Sequence, residues 1–270
     1  MNKQPKLFYF IALLCCINLK INASEIEVGA GIITTSIPDY IGSSEQKSYL
    51  LPFPYFYYKN ESLEIDRNAL TGFLWHKKNW YLDFSFSGSI PVKSHSNNAR
   101  RGMRDLDWVG ELGPALNYFL VGDPNSHQQV NLAFKSRKAV ATNFSSMTDV
   151  GWIFGPSIHY QKLFPTFGYG ELQLETELNI NFANQKYLNY YYGVSVDEQG
   201  ENRNFFSASR GYQGSNLNVG FTWKKNHWWV GSFIKFHALY GTKQQSSPLV
   251  ENNNSWYIGA GFAWIFYKNK

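Results

Sequence analysis

The chain has 270 residues, of which 44% are apolar and 18% aromatic, with a mean hydropathy of −0.35 and a formal charge of +5. After the N-terminus no stretch approaches the run of about 20 apolar residues that a membrane helix needs, so a helical membrane protein is excluded. Without Lys3, Lys6 and Lys20, 22 basic residues face 20 acidic ones, and a formal charge of +2 implies no nucleic-acid partner.

The first residues read as a secretory leader. Lys3 and Lys6 form a charged start, residues 7–17 form an apolar core too short to span a bilayer comfortably, and Ala23 suits cleavage. This divides the chain into a signal peptide, 1–23, and one domain, 24–270. Cys15 and Cys16 both lie in the leader, after leucines rather than the small residues of a lipoprotein signal. The mature chain then has no cysteine, which rules out disulfides and thiolate chemistry.

Beyond the leader the pattern has a period of two, the signature of β-strands, because successive side chains point to opposite faces of a sheet. Residues 26–33 show it loosely. In 80–87, Trp80, Leu82, Phe84 and Phe86 alternate with Tyr81, Asp83, Ser85 and Ser87. Residues 108–119 are looser, and 129–137 set Val130, Leu132 and Phe134 against Gln129, Asn131, Lys135 and Arg137. Residues 150–161 place Val150, Trp152, Phe154 and Ile158 opposite Gly151, Gly155, Ser157 and His159. The strictest run is 171–182, where Leu172, Leu174, Leu178, Ile180 and Phe182 oppose Glu171, Glu175, Glu177 and two asparagines. Residues 216–224 and, loosely, 228–240 follow. The last run puts Trp256, Ile258, Phe262, Trp264 and Phe266 opposite Gly259, Gly261 and Ala263.

The connections alternate in length. Those at 59–61, 77–79, 122–125, 164–168 and 224–226 are tight and rich in Asn, Gly and Pro. Those at 36–47, 91–105, 139–148, 183–213 and 241–253 are long. Short periplasmic turns and long extracellular loops are the asymmetry of outer-membrane barrels. For the alternation to hold, 63–75 must be a tight hairpin turning near Asp66-Arg67-Asn68. The fold expected is therefore an all-β, antiparallel transmembrane β-barrel of about 12 strands, with 10 as the fallback. A soluble β-sandwich competes, but its strands average about 5–6 residues, and these runs are nearer the length of tilted membrane strands. Tyr and Trp near the strand ends match an interfacial aromatic belt.

Two motif blocks carry a resemblance. Pro38-Asp39-Tyr40-Ile41-Gly42-Ser43 is followed by Leu51-Pro52-Phe53-Pro54-Tyr55, and Tyr192-Gly193-Val194-Ser195 precedes Gly211-Tyr212. Together they resemble the MipA/OmpV family of outer-membrane proteins across essentially the whole mature chain. The resemblance implies the outer membrane of a Gram-negative bacterium and, for the best-described member, a scaffold for a lytic murein transglycosylase and a murein polymerase. It implies no catalytic residue, and it gives Pro38, Asp39, Tyr40, Gly42, Ser43, Pro52, Pro54, Tyr55 and Tyr192 to Ser195 structural roles. Prolines within a strand predict a bulge or an open edge near 52–54.

No constellation in the sequence signals catalysis, a cofactor or a metal. Ser157 and His159 share a strand face, as do Lys235 and His237, but neighbours at i and i+2 are what any polar lumen contains. The inward charges Glu171, Glu175, Glu177, Lys135, Arg137, Lys224 and Lys235 predict a neutralising network, with Lys135, Arg137, Lys224 and Lys235 as partners of the carboxylates. Lys93, Arg100, Arg101 and Arg104 form a basic loop suited to anionic lipid or lipopolysaccharide. The aromatic stretch 183–213 is expected either to plug the barrel mouth or to form an adhesive surface. The functional expectation is a non-catalytic scaffold, with a small-solute channel or a surface adhesin as alternatives.

Overall fold

A computed structural model describes residues 25–59, 63–65, 70–72, 75–166 and 168–269. The expected leader and the turn at 66–68 lie outside the described residues. The strands are β1 (Glu25–Pro38), β2 (Gln46–Lys59), β3 (Leu63–Ile65), β4 (Leu70–Gly72), β5 (Trp75–Lys77), β6 (Trp80–Ser89) and β7 (Trp108–Val121). They continue with β8 (Gln128–Thr142), β9 (Met147–Pro165), β10 (Glu171–Ala183), β11 (Gly211–Lys225), β12 (Trp228–Ala238) and β13 (Asn254–Asn269). One helix, α1 (Gln185–Tyr192), lies between β10 and β11.

All strands belong to one antiparallel sheet in which consecutive strands pair, except β4 with β5, and β1 pairs with β13. That pairing joins the first and last long strands, while β4 and β5 stand at the two ends of the sheet and do not pair among the described residues. Ten strands have 10 to 19 residues. The expected hairpin in 63–75 is present as β3 paired with β4, while β5 pairs with β6. The expected count of about 12 therefore falls between ten long strands and thirteen segments. Among the described residues, β2 before Tyr58 and β6 after Leu82 have no second strand partner.

The two faces of the wall differ as the alternation demands. On β13, Phe262 and Trp264 are each 44% exposed, whereas Ala263 and Ile265 between and beside them are 0% exposed. The apolar residues face outward into the position of lipid, and the interior is filled by small, polar and charged side chains. Outward rings pack in pairs near the strand ends, Trp228 edge-on to Trp264 and Phe236 tilted against Trp256.

Three sequence expectations are corrected. The connection at 139–148 is not long: the β8–β9 ladder continues to Thr142↔Met147, leaving a turn of residues 143–146 with Phe144 in the left-handed region at φ 68°. Val150 does not face outward, because Ala139 pairs with Gly151 and Val140 with Asp149. The unpaired Val150 sits in a β-bulge and is buried under the mouth. No bulge occurs at Pro52 or Pro54: β1 and β2 pair without interruption from Glu25↔Lys59 to Pro38↔Gln46. The prolines are tolerated because β2 has an unpaired second edge along this stretch, where a missing N–H donor costs no ladder bond.

Candidate functional site

The extracellular end is closed by a second core made of loops. Tyr187, Leu188, Tyr191 and Tyr192 of α1 are buried against Val109, Ala139, Val150 and Ile153 from the wall and Val92, Leu106 and Leu249 from other loops. The helix starts where Asn184 accepts a hydrogen bond from Tyr187 N at 3.0 Å, satisfying a free donor of the first turn. The same Oδ1 accepts from Trp152 N at 3.1 Å, which ties the helix to β9. Gly151, at φ 121°, makes this approach feasible, since a Cβ there would lie 2.3 Å from Asn184 Oδ1. Burial pushes the hydroxyls of Tyr187, Tyr191 and Tyr192 far above the ordinary tyrosine range, so they stay neutral donors. Tyr187 donates to Glu111 Oε1 at 2.7 Å.

The two motif blocks, about 150 residues apart in sequence, meet in this mouth. The rings of Tyr40 and Tyr192 make an edge-on contact at 6.5 Å. Tyr40 donates to Leu249 O at 2.7 Å, and Ser247 donates to Tyr192 O at 2.7 Å. Asp39 accepts from Asn97 at 2.9 Å and pairs with Lys47 at 2.8 Å, while Ser43 accepts from the same Asn97 amide at 3.0 Å. Gly42 takes φ 97°, and its carbonyl accepts from Glu251 N and Asn252 N. Pro38 ends β1, Gly193 N closes α1 on Asn189 O, Val194 pairs with Phe206, and Ser195 caps the turn at 196–198. Pro52, Pro54 and Tyr55 lie on β2, where Tyr55 donates to Glu27 Oε2 at 3.0 Å.

Arg100 is corrected as a lipid contact. It is 3% exposed, donates to Tyr191 O at 3.1 Å and Arg104 O at 3.2 Å, and lies over the Tyr40 ring at 5.7 Å. Burial lowers its pKa from the usual guanidinium value. Its work is internal: it ties the 93–104 loop to α1. Lys93 reaches Asp105 at 2.8 Å, and Arg101 and Arg104 remain exposed.

Inside the wall, Lys135 pairs with Glu177, and Arg137 donates to Glu111 Oε2 at 2.9 Å and to Ser85 at 3.1 Å. The remaining expected partners differ. Lys224 reaches Glu27 at 2.7 Å, which Lys268 also contacts at 2.8 Å. Glu27 is fully buried, and an unpaired buried carboxylate costs far more than one at the rim such as Glu171. Glu175 accepts from Gln173 at 2.5 Å. Lys235 meets no carboxylate among the described residues and lies 5.4 Å from the centre of the Tyr257 ring. Glu27 and Glu111 anchor three of these four interior ion pairs, Glu27 with Lys224 and Lys268 and Glu111 with Arg137. Ser157 and His159 form no dyad, since His159 Nδ1 meets Asn131 Oδ1 at 3.1 Å.

An apolar outer wall, a polar interior and a folded mouth define an integral β-barrel of a Gram-negative outer membrane. Residues 28–266 match the family described as MltA-interacting protein MipA, and the chain belongs to that family. It is similar to the outer membrane protein Omp26La of Vibrio anguillarum, with 27% identity over 103 residues. The match covers 38% of this chain and only 40% of that relative's length. Among solved structures, a bacterial polysaccharide outer membrane secretin is similar over 91% of this chain and 99% of its own, at 9% identity and a TM-score of 0.43. The outer membrane protein OprG of Pseudomonas aeruginosa is similar over 91% and 97%, at 12% identity and a TM-score of 0.27.

Proposed function

We propose that this barrel is a non-catalytic scaffold that holds a lytic murein transglycosylase, and with it a murein polymerase, at the inner face of the outer membrane. The observation that carries the reading is the contrast between its two ends. The extracellular mouth is filled by a packed core, which suits neither a free solute path nor a pliable adhesive loop. At the periplasmic end two of the tight turns present lysines. Lys78 and Asn226 take φ 53° and 52° in two-residue hairpins, leaving Lys77, Lys78 and Lys225 at the rim. Two rigid, basic turns suit an acidic protein partner. The family's name, MltA-interacting protein, points the same way. On the outer side, exposed Arg101 and Arg104 suit the phosphates of lipopolysaccharide.

Affinity capture tests the reading. Purified barrel exposed to solubilised envelope should retain a lytic transglycosylase, and the triple change Lys77→Glu, Lys78→Glu, Lys225→Glu should reduce that retention by about tenfold. Retention of no murein enzyme by the unaltered barrel would sink the scaffold.

A further inference from the structure

The antiparallel ladder fixes which way the backbone of β2 points. Asp39 N donates to Glu45 O at 3.0 Å, so that pair is a bonded one. The β1–β2 register runs unbroken from there, and bonded and non-bonded pairs alternate along such a ladder. Ile33↔Leu51 and Gly31↔Phe53 are therefore bonded pairs. Ile32↔Pro52 and Ala30↔Pro54 are non-bonded, and at these positions the backbone groups of β2 point away from β1. Tyr58 has the same parity, and it is there that β2 pairs with β3. Pro52 and Pro54 thus remove two successive N–H donors from the free edge of β2.

Among the described residues that edge meets no strand before Tyr58. The β3–β4 hairpin ends at Ile65↔Leu70, and Ile65 is the partner of Tyr58, so the hairpin fills only the periplasmic part of the space between β2 and β6. Loops bridge the extracellular part. Asn97 donates to Asp39 at 2.9 Å and to Glu45 at 3.0 Å, and Lys47 donates to Ser96 at 3.3 Å. Between hairpin and loops the wall has a seam. Leu50 is in register with Thr34, and Thr34 with Ala260, midway along β13 between Trp256 and Trp264, which sets the seam among lipid chains.

The side chains at the seam agree. Leu51 points inward, opposite to Leu50, yet it is 49% exposed, and Leu50 itself is 71% exposed. Ser87, inward on β6 beside Glu111, is exposed as well. Inward residues of other strands, such as Glu111, Ser157 and Asn179, are buried. Leu50, Leu51 and Phe86 give the seam apolar lips. An unpaired N–H is tolerated less well than an unpaired carbonyl, and the prolines leave only carbonyls at two positions of this edge. A β-strand laid along it would find those two donors missing, so the edge suits neither β6 nor a strand of another chain.

We infer that the seam between β2 and β6 is a lateral opening in the wall, kept unzipped by Pro52 and Pro54, in which an acyl chain of an outer-leaflet lipid lies against Leu51. The inference is independent of the scaffold reading, because it concerns the membrane face rather than the periplasmic turns.

Photo-labelling of the full barrel in vesicles tests it. The probe is a phospholipid with a diazirine midway along one acyl chain, and its insertion sites are read by mass spectrometry. Leu51 should take label within about threefold of the outward Leu50, while Ile33, its inward partner on β1, stays at least about tenfold below. Pro52→Val combined with Pro54→Val restores both donors and lets β2 zip towards β6. It should lower the label at Leu51 at least about threefold and leave Leu50 unchanged. Should that double variant fail to fold, Pro54→Val alone and the Leu51-to-Ile33 ratio of the unaltered barrel carry the test. Label confined to outward residues, equal label at Leu51 and Ile33, or undiminished label at Leu51 in the folded proline variant would overturn the opening.

Discussion

Tyr40 does more than fill space. Its hydroxyl satisfies the Leu249 carbonyl in a region where neither group can reach water. Tyr40→Phe leaves that carbonyl unpaired and should cost the mouth about 1–3 kcal/mol, read as faster hydrogen exchange across 239–253 with the strands unaffected. Asp105 offers a pH test. The Lys93 ammonium, with the Ser94 backbone N–H, holds its carboxyl below the usual range. The folded value is thus below the unfolded one near ~3.9. The stabilisation is present above that value and lost as pH falls through the folded value. Proteolysis of the 93–105 loop should therefore rise below about pH 4. Asp105→Asn should show the raised sensitivity already at neutral pH, with no further acid-induced increase. At this scale the sequence was only partly readable. That Arg100 was basic and in a loop was plain. That it would be buried under Tyr40 depends on contacts with α1, nine decades of residues along the chain.

Elements were the most legible scale. The strict alternation of 171–182 became β10, and the Trp256–Phe266 alternation became β13, because one buried and one lipid-facing side leave no other period. The strand ends were less legible. At 139–148 the small polar residues looked like loop, yet ladder bonds extended both strands to a short turn. The helix α1 was seen only as an aromatic stretch, since its tyrosines are buried by other loops and not by a stripe of its own. Its attachment through Asn184 can be tested. Asn184→Ala should weaken the plug by about 1–2 kcal/mol, and Gly151→Ala should do at least as much, since its Cβ would enter the same contact at a φ of 121°. Both should raise protease cleavage within 184–210. Removing that segment altogether should produce conductance steps in planar bilayers, where the intact barrel is expected to be silent.

For the whole molecule, the pairing of the first long strand with the last is the decisive event. Gly29 and Gly31 of β1 sit against β13 so closely that a Cβ would lie 2.4 Å from Trp264 O and 2.3 Å from Phe262 O. These contacts are with backbone and cannot relax by turning a side chain. Gly31→Val should cost about 3 kcal/mol or more, and should appear as a large loss of the heat-modifiable folded band after refolding into vesicles. The sequence by itself determined that the chain is a membrane barrel and, except at the bulged Val150, which alternating residues face lipid, because a period of two assigns each strand's faces without knowledge of any neighbour. Only the tertiary structure decided that the mouth is plugged, that Glu27 and Glu111 anchor the interior charges, and that Lys235 is left over. Those outcomes depend on which strands and loops come together across the lumen, and residues that meet there are separated by up to some two hundred positions in the chain, a distance over which alternation carries no information.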